Sequence, residues 1–268
     1  MAVERRHDAR SPSRTVVSRS LDQLPSAPPA RTAARWQMAA PMAMSGLCPA
    51  DLPGQVLHGS RSRPMVALTF HGQGEPALAE RVLAVAEQAG ARLTVLAVGT
   101  WLDDCPAIAA RIAAGGHDLG NHTQHHWDIC AMTGDDAYRE IDACAQRLRS
   151  LTGTIGTWFR PSQTALATPL VQRLARRAGY AHCLSYDVDS LDDTDPGPAA
   201  IQGTVLGTVR PGSIVSLHMG HVGTLEALPG ILDGLRRRGL QAVSATRMLL
   251  LSGGTVQAAP PHRHRSAR

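Results

Sequence analysis

The sequence contains no lysine: all 27 of its basic residues are arginine. So uniform a choice of cation marks coding bias rather than a binding function. Aromatic residues are also sparse, at 3% of 268 residues, so Leu, Val, Ile and Ala must fill the core. The five cysteines (Cys48, Cys105, Cys130, Cys144 and Cys183) are scattered and show no CxxC spacing. An odd, spread set excludes a disulfide framework or a structural zinc knuckle and points to buried free thiols. No stretch approaches ~18 consecutive apolar residues, so no segment is expected to span a membrane. The arginine-rich start has no apolar run behind it, so no secretory signal is expected. "SGLCPA" around Cys48 lacks the apolar run and the small residue before cysteine that a lipoprotein cleavage site needs. The compartment stays open.

The net charge of +5 loses its apparent meaning once it is located. Residues 1–63 hold nine Arg against Glu4, Asp8, Asp22 and Asp51, and residues 255–268 add three Arg and no acid. Between them, residues 64–254 carry 15 Arg against 18 acids, a balance of −3. With the basic excess confined to the ends, and no basic helix or aromatic-basic interleaving, no nucleic-acid partner is expected. Residues 1–63, rich in Arg, Ser, Pro and Ala without periodicity, are expected to be disordered. The same holds for 251–268, which end "PPHRHRSAR".

Residues 64–250 alternate short apolar runs with helical patterns. Strands are expected at 65–70, 93–98, 117–120, 182–186, 213–217 and 240–243. Helices are expected at 77–89, 105–114, 135–151, 168–178, 198–209 and 225–238. The helix at 135–151 places Ile141, Cys144, Ala145 and Leu148 at three- and four-residue spacing. Gly90, Gly115, Gly153, Gly179 and Gly239 each sit just past a helical run, as C-terminal caps. Strands alternating with helices imply parallel strands, in an α/β barrel or a doubly wound sheet.

Chemistry in such folds gathers at strand C-termini, and there the sequence is unusual. "VALTFHGQGEP" ends a strand in His71, Gly72, Gln73, Gly74 and Glu75. "LGNHTQHHWD" carries His122 and His126 four residues apart, close enough to hold one metal from a single turn or loop. "WFRPSQ" puts Arg160 after an apolar pair, "LSYDVDSLDD" places Asp187, Asp189, Asp192 and Asp193 after a strand, and "SIVSLHMGH" ends its strand at His218. Singly, each is also what a surface charge, a solvated turn or a satisfied core histidine looks like. Five polar strand ends in succession, on one face of an α/β barrel, argue for a site.

In this order the motifs resemble those of the polysaccharide deacetylase family, the NodB-homology domain of carbohydrate esterases. His122-Thr123-Gln124-His125-His126 is similar to the family's H-[ST]-x-x-H motif, within "GGHDLGNHT". "TVLAVGTWL" at 94–102, "AGYAHCLSYDVDSLD" and "GSIVSLHMG" resemble further family segments, and the likeness runs from 64 to 250. It implies a distorted (β/α) barrel and a divalent metal, zinc with cobalt or nickel as alternatives. It also implies removal of acetyl groups from an N- or O-acetylated glycan or related small carbohydrate. Members are usually secreted or displayed at the cell surface. Carried over by position, the resemblance makes His122 and His126 metal ligands and His218 the general acid. Arg160 and Asp189 become a charged pair around the base, and the Gln163 backbone N–H becomes an oxyanion donor.

The chain departs from the family in three places. The usual T-F-D-D-G is here Thr69-Phe70-His71-Gly72-Gln73, without either carboxylate. R-P-P-Y is Arg160-Pro161-Ser162-Gln163, and Asp193 stands where the fourth motif has tryptophan. Three readings of the first motif follow. His71 is the third metal ligand; or His71 is the base, with Glu75 reaching back as the third ligand; or the site binds glycans without hydrolysing them.

Overall fold

The computed structural model describes residues 52–250. Eight-residue strand β2 (Met65–Gly72) is its axis, a run of branched and aromatic residues buried on both faces. Its neighbours are all parallel to it. Strand β3 (Thr94–Ala97) lies along its C-terminal half and β8 (Gln241–Val243) along its N-terminal half, while β7 (Ile214–His218) pairs on the other side. Beyond β3 comes β4 (Asp118–Asn121), and beyond β7 comes β6 (Val188–Asp189). The fold is therefore α/β around a parallel sheet, as the alternation of elements requires.

A second, two-stranded ladder joins β1 (Gln55–Val56) to β5 (Cys183–Leu184). Single bridges at Asn121–Phe159, Phe159–Cys183 and His58–Ser213 lead from β4 towards β5 and from the β1 region to β7. Closure into a full barrel would rest on these bridges, not on continuous ladders.

Helices α1 (Pro76–Gln88), α3 (Ala107–Ala114), α4 (Gly134–Thr152), α5 (Pro169–Arg177), α6 (Pro198–Thr208) and α7 (Val222–Arg237) occupy the expected helical segments. Thr133 and Thr168 cap α4 and α5 by accepting hydrogen bonds from the N–H groups of Asp136 and Val171. Gly90, Gly153, Gly179 and Gly239 have the positive φ of C-terminal caps. After α3 that role falls to Gly116 instead of Gly115, because Gly115, the C-cap residue, keeps a right-handed conformation at φ −73°. Two short helices, α2 (Gly99–Asp104) and α8 (Ala245–Leu250), complete the set. Among the described residues no helix is long and apolar enough to cross a membrane.

Residues 52–63, expected to belong to a disordered N-terminal segment, are part of the folded body. Val56 is fully buried, Leu52 nearly so, and Arg61 is ion-paired with Asp187 at 2.7 Å. The expectations for 1–51 and 251–268 lie outside the described residues.

Candidate metal and acid–base site

The site is built where β2, β4 and β7 end. Side chains alternate along a strand, so Thr69 and His71 of β2 share a face, and the parallel register sets them beside Ser216 and His218 of β7. From β4 the chain enters a tight loop. Asn121 donates to Ile141 O and to Tyr180 Oη, and it accepts from Thr123 N–H, a residue at φ +69°. This holds His122 fully buried and His126, at φ +60°, partly exposed. His71 Nδ1 lies 2.7 Å from His122 Nε2, which lies 3.1 Å from His126 Nε2. One nitrogen from each of the three rings falls within 4.8 Å of the others.

The donor chemistry of these rings suits a divalent metal. His122 Nδ1 lies 3.0 Å from Arg160 O; a carbonyl only accepts, so Nδ1 carries the proton and the Nε2 lone pair is free. Burial, reinforced by the neighbouring imidazoles, holds His71 and His122 well below the ordinary histidine value, and burial also lowers His126. Three imidazoles of lowered pKa, each bringing one nitrogen to the same point, are a set that could hold zinc or a neighbouring first-row ion. His71 Nε2 sits 3.0 Å from Ser216 Oγ, a partner that could hold the ring in a ligating tautomer.

Gly72 explains why His71, not its neighbour, reaches this point. A Cβ at position 72 would stand 2.8 Å from Val95 Cγ1, 2.9 Å from Trp101 Cζ3 and 3.0 Å from Ala97 Cα. The position aligned by resemblance with the family's metal-binding aspartate thus faces packed side chains. Trp101 also donates its indole N–H to Gly74 O at 2.8 Å, pinning the turn after β2. Glu75, the N-cap residue just before α1, is exposed and does not join the histidine cluster.

His218 is held by an acid, a contact that was not expected. Asp192 is fully buried and accepts from His218 Nδ1 at 2.7 Å, from His218 N–H at 2.8 Å and from the Thr224 hydroxyl. Burial opposes its charge, but these hydrogen bonds outweigh burial and keep its pKa below the ordinary value. The His218 ring stacks on His71, with centroids 4.3 Å apart.

The expected Arg160–Asp189 ion pair does not form. Arg160 is completely buried and donates to Leu184 O, Ser185 O and Thr69 Oγ1, with Nη1 3.4 Å from His71 Nε2 and the guanidinium over the Tyr186 ring. Burial lowers its pKa to about 10. Asp189 is exposed and accepts from Leu191 N–H. The cause is local. Strand β6 is only two residues long, and Leu191 turns at φ +58°, which delivers Asp192 inward and leaves Asp189 at the rim.

A cavity of about 340 Å³ opens over this cluster, lined by His71, His126, Gln163, Tyr186, Asp189, Asp193, Ser216 and His218, among others. Gln163 has φ +55° and donates its side-chain N–H to His126 O, while its backbone N–H has no protein acceptor among the described residues. Sequence reasoning had missed Ser216, Thr69 and the part played by Asp192. The first two could have been found by stepping back two residues along each strand from His218 and His71.

Fold and site together define a parallel α/β protein with a three-histidine centre beside a histidine–aspartate pair. The family profile described as polysaccharide deacetylase matches residues 58–183. The chain is 31% identical over 206 residues to a chitooligosaccharide deacetylase of Bradyrhizobium sp. (strain ANU 289), covering 68% of this chain and 88% of that one. It belongs to the polysaccharide deacetylase family. It is also 22% identical over 197 residues to the uncharacterized protein YlxY of Bacillus subtilis (strain 168), covering 74% of this chain but only 61% of that relative. Among solved structures, BA3943 of Bacillus anthracis, described as a CE4 family pseudoenzyme, superposes with a TM-score of 0.70 at 22% identity. That match covers 75% of this chain and 70% of the other.

Proposed function

We propose that the protein is a metal-dependent hydrolase that removes acetyl groups from an N- or O-acetylated glycan. The observation that carries this reading is the convergence of His71, His122 and His126 beside the His218–Asp192 pair, with His71, His126 and His218 lining one open cavity. His71, His122 and His126 would hold a divalent ion, zinc in the first instance, which supplies Lewis-acid polarisation of an acyl oxygen and an acidified water. The chain's own groups do the rest. Asp192, bound to His218 Nδ1, leaves Nε2 as the atom that delivers a proton to the departing amine or alcohol. The Gln163 N–H is free to stabilise negative charge on the acyl oxygen. Arg160 adds buried positive charge beneath His71, and Asp189 and Asp193 offer carboxylates on the cavity wall as proton acceptors.

A second reading, glycan binding without hydrolysis, is favoured by one feature: among the described residues, no carboxylate joins the histidine cluster. BA3943, of the same fold, is described as a pseudoenzyme, and a mutant of it as having restored enzymatic activity. The deciding experiment measures acetate release from acetylated chitin, peptidoglycan and xylan fragments, with zinc and with chelator. Zinc-dependent, chelator-sensitive release supports the hydrolase; binding of the same fragments without release supports the second reading.

A further inference from the structure

The loop that carries His126 is unfavourable by itself. Thr123 and His126 both hold left-handed φ, +69° and +60°, and Thr123 is β-branched, the kind of residue this region suits least. His122 stands directly after β4, so its place follows from the strand; His126 stands where the loop puts it. Neighbouring helices hold the backbone between them. The start of α2 donates to the loop's carbonyls, from Gly99 N–H to Thr123 O at 2.9 Å and from Thr100 N–H to Gln124 O at 2.8 Å. The loop's own N–H groups are received by one residue of α4. Gln124 N–H donates to Glu140 O at 3.0 Å and His125 N–H to Glu140 Oε2 at 2.8 Å, while His125 Nδ1 lies 2.6 Å from Glu140 Oε1.

Glu140 is out of place as a packing residue. Among the buried residues of α4 it alone carries a charge. Its one ion-pair partner among the described residues is His125, and no arginine reaches it. Burying a carboxylate is costly unless hydrogen bonds meet it, and an apolar side chain would pack there without that penalty. The plain alternative is an ion pair that happens to lie near the surface. The His125 side chain is 43% exposed, however, and pairs screened by water contribute little. The second carboxylate oxygen is committed to a main-chain N–H, a bond that acts on the shape of the loop.

We infer that Glu140 is the positioning residue of the metal loop: by receiving the His125 N–H it fixes the approach of His126 to the point that His71 and His122 face. This rests on reading the three histidines as a metal site, and the test separates the two. Zinc affinity is measured by competition with a chromophoric chelator, and the visible spectrum of the cobalt-substituted protein gives a signature of the ligand arrangement. The proteins compared are wild type, Glu140→Met, Glu140→Gln and His125→Ala. Methionine keeps the buried volume and removes the acceptor, so the zinc-free variant should stay folded and melt within a few degrees of wild type. Its zinc affinity is expected to be about 10-fold weaker, with an altered cobalt spectrum. Glu140→Gln should restore both, because its amide oxygen can accept the same N–H. His125→Ala, which loses only the ring, should bind zinc nearly as wild type does. Wild-type zinc affinity and cobalt spectrum in Glu140→Met overturn the positioning role and leave the metal site standing. Glutamine as weak as methionine overturns it too, since the effect is then one of charge. If wild type itself binds no zinc, the positioning role falls together with the metal-dependent reading.

Discussion

At His71 two roles compete for one ring. Its Nδ1 faces His122 and its Nε2 faces Ser216, with Arg160 Nη1 at 3.4 Å. If the ring ligates through Nδ1, Nε2 must carry the proton and give it to Ser216. Zinc affinity measured by competition should then fall steeply in each of His71→Ala, His122→Ala and His126→Ala, and by about 10–100-fold in Ser216→Ala. Wild-type affinity in His71→Ala would remove it from the ligand set. Gly72 bears on the same question, because an aspartate there would meet Val95 and Trp101. Gly72→Asp should therefore lower stability and add no ligand. The histidine spacing and His218 were legible in the sequence because they follow long strands or stand in a compact motif. The choice among four aspartates was not, since it hangs on the left-handed turn at Leu191. Asp192→Ala should cost more than Asp189→Ala in chemical denaturation. It strands the His218 N–H and the Thr224 hydroxyl, at about 1–3 kcal/mol for each buried unpaired group.

At the scale of elements, periodicity was informative wherever a segment was long enough to have any. Strand β2 and helices α1 and α4 were legible; two-residue β1 and β6 and six-residue α2 and α8 are too short to carry a period. One junction between elements sets a pH dependence. Glu87, at the end of α1, accepts both Arg111 guanidinium nitrogens of α3, at 2.6 and 2.8 Å, and lies 3.1 Å from His117 Nε2. The hydrogen bonds from Arg111 bring the Glu87 carboxyl down to about 2. His117 Nδ1 accepts from Leu93 N–H, and burial lowers the pKa of the ring despite the carboxylate beside it. Both shifts act in one direction. The unfolded chain protonates His117 first, so stability falls as pH drops below about 6.5. The Glu87 contribution, present above about 4.5, is lost as pH falls towards 2. The stability difference between wild type and Glu87→Gln should shrink steadily across that lower window. A difference independent of pH from 5 to 2.5 would show that the junction carries no such linkage.

For the molecule as a whole, composition drew the boundary of the folded body too far along the chain. Residues 52–63 share the Arg, Ser and Pro content of what precedes them, and two-residue β1 shows no alternation, so nothing local sets this stretch apart. What places it in the fold is distant. Gln55 and Val56 pair with Cys183 and Leu184, the Gln55 side chain accepts from Ala167 N–H at 2.6 Å, and Gly59 N–H donates to Gly212 O at 2.7 Å. Arg61 reaches Asp187 and Pro211 O, and Asp187 in turn accepts from Ile214 N–H at the start of β7. The segment thus braces the ends of β5 and β7, two of the elements from which the Arg160 and His218 surroundings are built. Val56→Ala should cost about 1–3 kcal/mol through lost burial and the cavity left behind. In a domain of this size that lowers Tm by several degrees. Arg61→Ala should add a smaller loss, because its pair is partly exposed. Thermal melts of the two variants and of a chain with residues 52–63 excised provide the measurement. If this stretch were a tail, all three would melt with wild type; as a brace, the excised chain should fail to fold cooperatively.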